Sequence, residues 1–115
     1  MNKAYRLAKN SAYQRVYRRG RSAAMPLAVL IYTRGREKKA GFSVSKKVGK
    51  AVVRNRVRRR MKEATRLLMP RIKEGAQFIL VARPDAAQAS YTELERTIEK
   101  LLKRAKLLKE VEGPQ

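Results

Sequence analysis

The chain has 115 residues, enough for one domain with one small core, and carries 30 Lys and Arg against 9 Asp and Glu, a formal charge of +21. It contains no Cys, His or Trp, which excludes disulfides, thiol and imidazole chemistry, a Ser-His-Asp triad and the usual zinc ligand sets. No run approaches the roughly 18 apolar residues of a membrane span, and Met1–Asn10 has no apolar stretch of signal-peptide length; the expectation is a soluble cytoplasmic protein that holds a polyanion.

In chain order, the first helix is expected from Ser11 to Arg19, with Asn10 as its cap and Gly20 as its terminator. Its Tyr13, Val16 and Tyr17 fall at i, i+3 and i+4, on one face. Leu27–Thr33 (LAVLIYT) is apolar and β-branched and reads as a strand. Ala40–Ser45 alternates, with Ala40, Phe42 and Val44 on one face and Gly41, Ser43 and Ser45 on the other, and the two strands are expected to pair as a hairpin. A second helix should run from Lys50 to Met69, before Pro70, with Val53, Val57, Met61, Ala64 and Leu68 as a narrow apolar stripe. Gln77–Arg83 (QFILVAR) is apolar almost throughout, as suits a central strand covered on both faces. Ser90, with Glu93 three residues on, opens a last helix that buries Leu94, Ile98, Leu101, Leu102, Ala105 and Leu108 and ends near Glu110. The order is α-β-β-α-β-α, an α+β domain spanning residues 1–115, with 112–115 expected to fray.

Residues 1–62 hold 20 of the basic residues and one acid, Glu37, for a local charge of +19; the rest of the chain carries +2. The segment Lys46–Arg66 has ten basic residues among its 21 and one acid, Glu63. Wound as a helix, Arg54, Arg58, Lys62 and Arg66 make a basic row beside the apolar stripe, with Asn55 and Arg59 one step further round and Arg56 and Arg60 on the far side. Like charges at i, i+4 cost an isolated helix about 0.2–0.5 kcal/mol per pair, so a helix with no partner would alternate signs; this one suits a phosphate backbone. Gly49 separates Lys46 and Lys47 from the helix, whose first N–H groups favour an anion. Tyr13 and Tyr17 fit either a core face or, over the small polar surface of Gly41, Ser43 and Ser45, a groove on which bases stack. No carboxylate cluster, triad or phosphate-binding glycine loop provides an active site within the chain.

The run GFSVSKKVGKAVVRNRVRRRMKEATR, residues 41–66, resembles the signature of the bacterial ribonuclease P protein component, with Arg54-Asn55-Arg56 as its RNR element. AYQRVYRRGRS (12–22), FILVARP (78–84) and SYTEL (90–94) resemble that family's first helix, last strand and final helix start. The resemblance implies a two-layer α/β sandwich of ribosomal-protein-like type, order α-β-β-(β)-α-β-α, with a four-stranded mixed sheet and a left-handed β-α-β crossover. It implies an endoribonuclease subunit, with no catalytic residue in the protein, that binds a catalytic RNA and precursor tRNA, with no membrane and no obligate protein partner. The RNA would do the chemistry, removing the 5′ leader with Mg²⁺ held mainly by the RNA. The residues implied to meet the catalytic RNA are Lys46, Lys47, Lys50, Arg54, Asn55, Arg56, Arg58, Arg59 and Lys62. Those implied to line the leader cleft are Tyr13, Tyr17 and Ser43, with Lys46 and Arg54 at its rim. The family pattern departs in two places: Met25-Pro26 replaces a polar pair, and an ungapped match puts Ile31 where an aromatic lines the cleft, with Tyr32 on the other side unless a bulge intervenes. The alternatives are a structural RNA-binding protein such as a ribosomal protein, and a DNA-binding module.

Overall fold

A computed structural model describes residues 2–110; the expected frayed tail at 112–115 lies outside the described residues. The elements are α1 (Asn10–Arg19), β1 (Arg21–Ala24), β2 (Ala28–Arg34), β3 (Lys39–Ser43), α2 (Ala51–Leu68), β4 (Ala76–Ala82) and α3 (Tyr91–Arg104). The strands form one mixed sheet in the order β1-β2-β4-β3, with β1-β2 and β2-β4 antiparallel and β3-β4 parallel.

This order overturns the expected hairpin between the two strands flanking Gly35. Despite a four-residue link, β2 and β3 are separated by β4. The reason lies in the side chains of β4: Ala76, Phe78, Leu80 and Ala82 face one layer and Ile79 and Val81 the other, so only a central position covers both. The hairpin is made instead by β2 and the short β1, through Met25–Leu27, with the Met25 N–H on the Ala28 carbonyl at 2.9 Å. The short, mostly exposed β1, Arg-Ser-Ala-Ala, carries no strand pattern of its own. Entry into β4 requires Gly75: its φ is +82°, and a Cβ there would lie 2.6 Å from the Gly35 carbonyl oxygen.

The main core lies between the sheet and α2 and α3, with Phe78, Leu80, Val57, Met61, Leu94, Ile98 and Leu101 at its centre. The expected stripe of α2 is buried there, except that Val53 is only partly covered and Thr65 is buried as well. On the opposite face α1 lies over a smaller cluster, where Val16 packs with Leu7 and Ile79. Lys38, 5 % exposed, staples β3 to the turn after α2: its Nζ donates to the Met69 carbonyl at 2.7 Å and sits 3.4 Å from Glu74.

Two helix ends differ from expectation. Asn10 is the first residue of α1 and Lys9 its cap, with no side-chain hydrogen bond; Gly20 is extended, and a Cβ there would collide with the Val16 carbonyl. The capping box of α3 forms as expected, Ser90 Oγ accepting from the Glu93 N–H at 3.1 Å and the Glu93 carboxylate from the Ser90 N–H at 2.9 Å. The helix stops at Arg104, six residues early. The Leu107 N–H returns to the Leu102 carbonyl at 2.9 Å and the Lys106 N–H to Lys103 at 2.9 Å, a Schellman end with Lys106 at φ +60°. Leu108 is buried all the same, because the chain after the helix bridges to Ile72.

Candidate nucleic-acid interface

At the end of β3 the chain leaves the sheet and makes a short turn, Lys46–Val48, capped by Ser45 Oγ accepting from the Lys47 N–H at 3.3 Å. Buried Val48 anchors this turn, leaving Lys46 and Lys47 exposed. Gly49 follows with φ +151° and ψ −165°, a region essentially confined to glycine, and the chain then enters α2. Lys50 is the helix cap and contributes no side-chain hydrogen bond, and the first turn has no acid. The leading N–H groups of α2 therefore keep their partial positive charge beside three exposed lysines. Arg54 folds back, its Nε donating to the Gly49 carbonyl at 3.1 Å, so one guanidinium edge holds the loop and the other is left for a ligand.

Along the outer side of α2, Asn55, Arg58, Arg59 and Lys62 line a shallow hollow of about 310 Å³, bordered by Glu63. Arg58 is oriented by donating to Asn55 Oδ1 at 3.2 Å. The basic row does not extend to Arg66. Two hydrogen bonds, 2.6 and 3.0 Å, tie its guanidinium to Glu63, holding the Glu63 carboxyl below its usual range and raising the Arg66 guanidinium. Arg56 and Arg60 face away, as the helical spacing predicts, and grip the turn after β4: Arg56 Nη2 donates to the Ala87 carbonyl at 3.1 Å and Arg60 Nη1 to Ala89 at 2.9 Å. Of the nine residues implied to meet RNA, eight gather on the loop and outer helix face, and Arg56 stands apart on the opposite side.

The cleft between α1 and the sheet follows from the strand register. Across the α1 face, one row runs Ser22, Ile31, Ile79, Gly41 and the next Ala24, Val29, Val81, Ser43. Helix α1 covers the first row. The Tyr13 ring lies on Gly41, where a Cβ would be 2.8 Å from it, and its hydroxyl accepts the Phe42 N–H at 3.2 Å, satisfying a donor on the edge strand. The second row stays half open, with Val29, Val81 and Ser43 partly exposed, and Tyr17 is 42 % exposed. This row lies at the end of the sheet from which β3 runs into the Lys46 turn, so cleft and basic loop are continuous. Ile31 packs beneath α1, whereas Tyr32 joins the core on the other face, with no bulge in the register.

Arg83 is a candidate that the sequence reading does not single out. It follows Val81 by two positions in extended conformation, on the cleft side, and is exposed. With Met25, Pro26 and one acid, Asp85, it lines a hollow of about 600 Å³ beyond the open row. The alternation Ile79, Val81, Arg83 carries the signal, which a strand ending at Arg83 hides. Among the described residues no three His, Cys, Asp or Glu side chains group as a metal site, and no helix is long and apolar enough to cross a membrane.

The family model for ribonuclease P matches residues 1–106. The chain is 44 % identical over 111 residues to the ribonuclease P protein component of Symbiobacterium thermophilum, covering 94 % of this chain and 96 % of the relative. It is 41 % identical to that of Caldanaerobacter subterraneus subsp. tengcongensis over 112 residues, 96 % of this chain and 97 % of the relative. Among solved structures, the Staphylococcus aureus RNase P protein superposes with a TM-score of 0.84 at 33 % identity, covering 92 % of this chain and 99 % of that one.

Proposed function

The chain belongs to the ribonuclease P protein component family and is the protein subunit of that endoribonuclease, and from this premise we propose how its surfaces divide the work. The Lys46–Lys50 loop and the outer face of α2, with Arg54, Asn55, Arg58, Arg59 and Lys62, hold the RNA subunit near its reactive centre. The open row of the cleft, with Tyr17, Ser43 and Arg83, takes the single-stranded 5′ leader of precursor tRNA, and Lys46 and Arg54 stand where the two RNAs meet. The observation that carries this reading is the continuity of the cleft with the basic loop, which lets one small protein touch both RNAs at once.

Hydrolysis of the phosphodiester bond falls to the RNA subunit and the Mg²⁺ ions it binds. Among the described residues the donor set does not fit an ion: no three acids group together, and Glu63, the one beside the basic row, is committed to Arg66. The protein acts by positioning the leader and lowering the repulsion between RNA backbones that opposes Mg²⁺ binding. The compartment for this work is the cytoplasm. The names of the relatives do not favour a purely structural RNA-binding role.

The test is 5′ processing of precursor tRNA by a ribonuclease P RNA at low millimolar Mg²⁺, with and without the protein. Cleavage that depends on the protein is expected; binding to the RNA without any gain in cleavage would overturn the reading.

A further inference from the structure

We propose that the protein carries a second RNA-binding site, a hollow at the corner diagonally opposite the Lys46 turn, which takes the phosphodiester backbone of a separate RNA segment. The hollow is about 530 Å³ and draws cations from four elements: Arg19 at the end of α1, Arg21 at the start of β1, Arg34 at the end of β2, and Arg104 and Lys106 at the end of α3. Tyr32 forms part of its wall, and no acid lines it among the described residues. All five cations are exposed, and none forms an ion pair among the described residues; Arg104 alone donates to protein, to the Ala24 carbonyl at 3.2 Å.

Cations beside a helix C-terminus have a structural explanation in the helix dipole, and that explanation suffices for Arg104. It covers Arg19, the last residue of α1, as well, but it does not reach Arg21 or Arg34, which belong to strands. The register brings two of them together: Arg21 is paired with Tyr32, and Arg34 follows Tyr32 by two, so all three face the α3 layer. Five like charges held around one hollow repel one another, and a polyanion removes that repulsion.

Lys106 is an independent observation. At φ +60° it is the one non-glycine residue with positive φ among the described residues, at the helix-end position where glycine is usual. Keeping a side chain there strains the backbone and sets a cation at the mouth of the hollow, and a strained non-glycine residue points to a use. Lys106 also borders a neighbouring hollow lined by Arg71, Lys73, Lys103 and Lys109 with one acid, Glu110, so the surface around the end of α3 is predominantly basic.

The position excludes sharing with α2. The hollow lies at the β1 edge and at the end of the sheet where β2 finishes, whereas the Lys46 turn lies at the β3 edge and the opposite end. On a molecule 44 × 36 × 24 Å in extent, the two surfaces meet different phosphates. The RNA is either another part of the RNA subunit or the precursor, and the experiment separates the two.

Full-length protein is compared with Lys106→Gly, with Arg21→Gln/Arg34→Gln, and with Lys100→Gln, which removes one exposed cation of α3 outside the hollow. Affinity for the RNA subunit, and of the assembled holoenzyme for precursor tRNA, is measured across a salt series. Lys106→Gly is expected to melt at or above the wild-type temperature, because glycine relieves the strain. It should nevertheless bind one of the two RNAs several-fold more weakly, with a log K against log salt slope shallower by about 0.7–0.9. The RNA that loses affinity identifies the occupant. Unchanged affinity and slope for both RNAs, or an equal loss with Lys100→Gln, would overturn the site.

Discussion

Replacing Tyr17 by alanine separates the binding surface of the cleft from its scaffold, because the two tyrosines of α1 are held differently. Tyr13 rests on Gly41 and accepts the Phe42 N–H at 3.2 Å, whereas Tyr17 is 42 % exposed and has no hydrogen-bond partner among the described residues. Tyr17→Ala should therefore change folding stability by no more than about 0.5 kcal/mol. A base stacked on the ring is worth about 1–3 kcal/mol, so affinity for a leader-bearing precursor should fall by about 5- to 140-fold. Tyr13→Ala would lose about 1 kcal/mol with its hydrogen bond and more from the gap over Gly41, a total of about 2–4 kcal/mol of stability; its binding defect would then mix folding with recognition. Tyr13→Phe, which removes only the hydroxyl, should cost about 0.5–1.5 kcal/mol and leave the ring in place. The assay is equilibrium binding of precursor and mature tRNA to the reconstituted holoenzyme, beside thermal melts of the free protein. Parallel loss for precursor and mature tRNA, or an unaltered precursor affinity, would refute the role of the cleft.

Arg58→Ala should weaken binding to the RNA subunit and flatten its salt dependence by about 0.7–0.9 in slope, since Arg58 is held outward by Asn55. Arg56→Ala, by contrast, should lower stability by freeing the Ala87 carbonyl while leaving the slope alone; a reversed pattern in the salt titrations would exchange their roles. Gly49→Ala should cost about 1–3 kcal/mol, because alanine cannot adopt φ +151° without strain and its Cβ would press on Val53 at 3.2 Å; an unchanged denaturation midpoint would contradict this. Hydrogen bonds from Arg71 to Glu99, and from the Ser90 backbone to Glu93, hold both carboxyls below their ordinary value of 4.5. Each hydrogen bond is stronger to the ionised carboxylate, so the stability this adds is complete above that value and is lost as pH falls through the depressed folded-state values. The melting temperature should fall on acidification from pH 4.5, less steeply in Glu99→Gln; a level profile would contradict the sign.

Most of the proposed binding surface is legible in the chain because its signals are local. The spacing of Arg54, Asn55, Arg58, Arg59 and Lys62 along one helix, the glycine before it and the lysines before that need only the geometry of a turn and a helix to converge. The apolar run of β4 likewise implied a strand covered on both faces, and the capping box of α3 needed only Ser90 and Glu93. Three features depended on contacts distant in sequence. The insertion of β4 between β2 and β3 reflects competition for the centre of the sheet, which the short link after β2 does not reveal. The different fates of Tyr13 and Tyr17 turn on Gly41 lying beneath one ring and not the other. Arg56 is withdrawn from the cationic surface by the Ala87 carbonyl, 31 residues away, whereas the pairing of Arg66 with Glu63, three residues apart on one helix, is a local contact. Charge and periodicity determined that this chain presents a basic helix and loop suited to a phosphate backbone. Only packing decided which cations remain available, because a side chain's availability depends on which acceptors the rest of the fold brings within its reach.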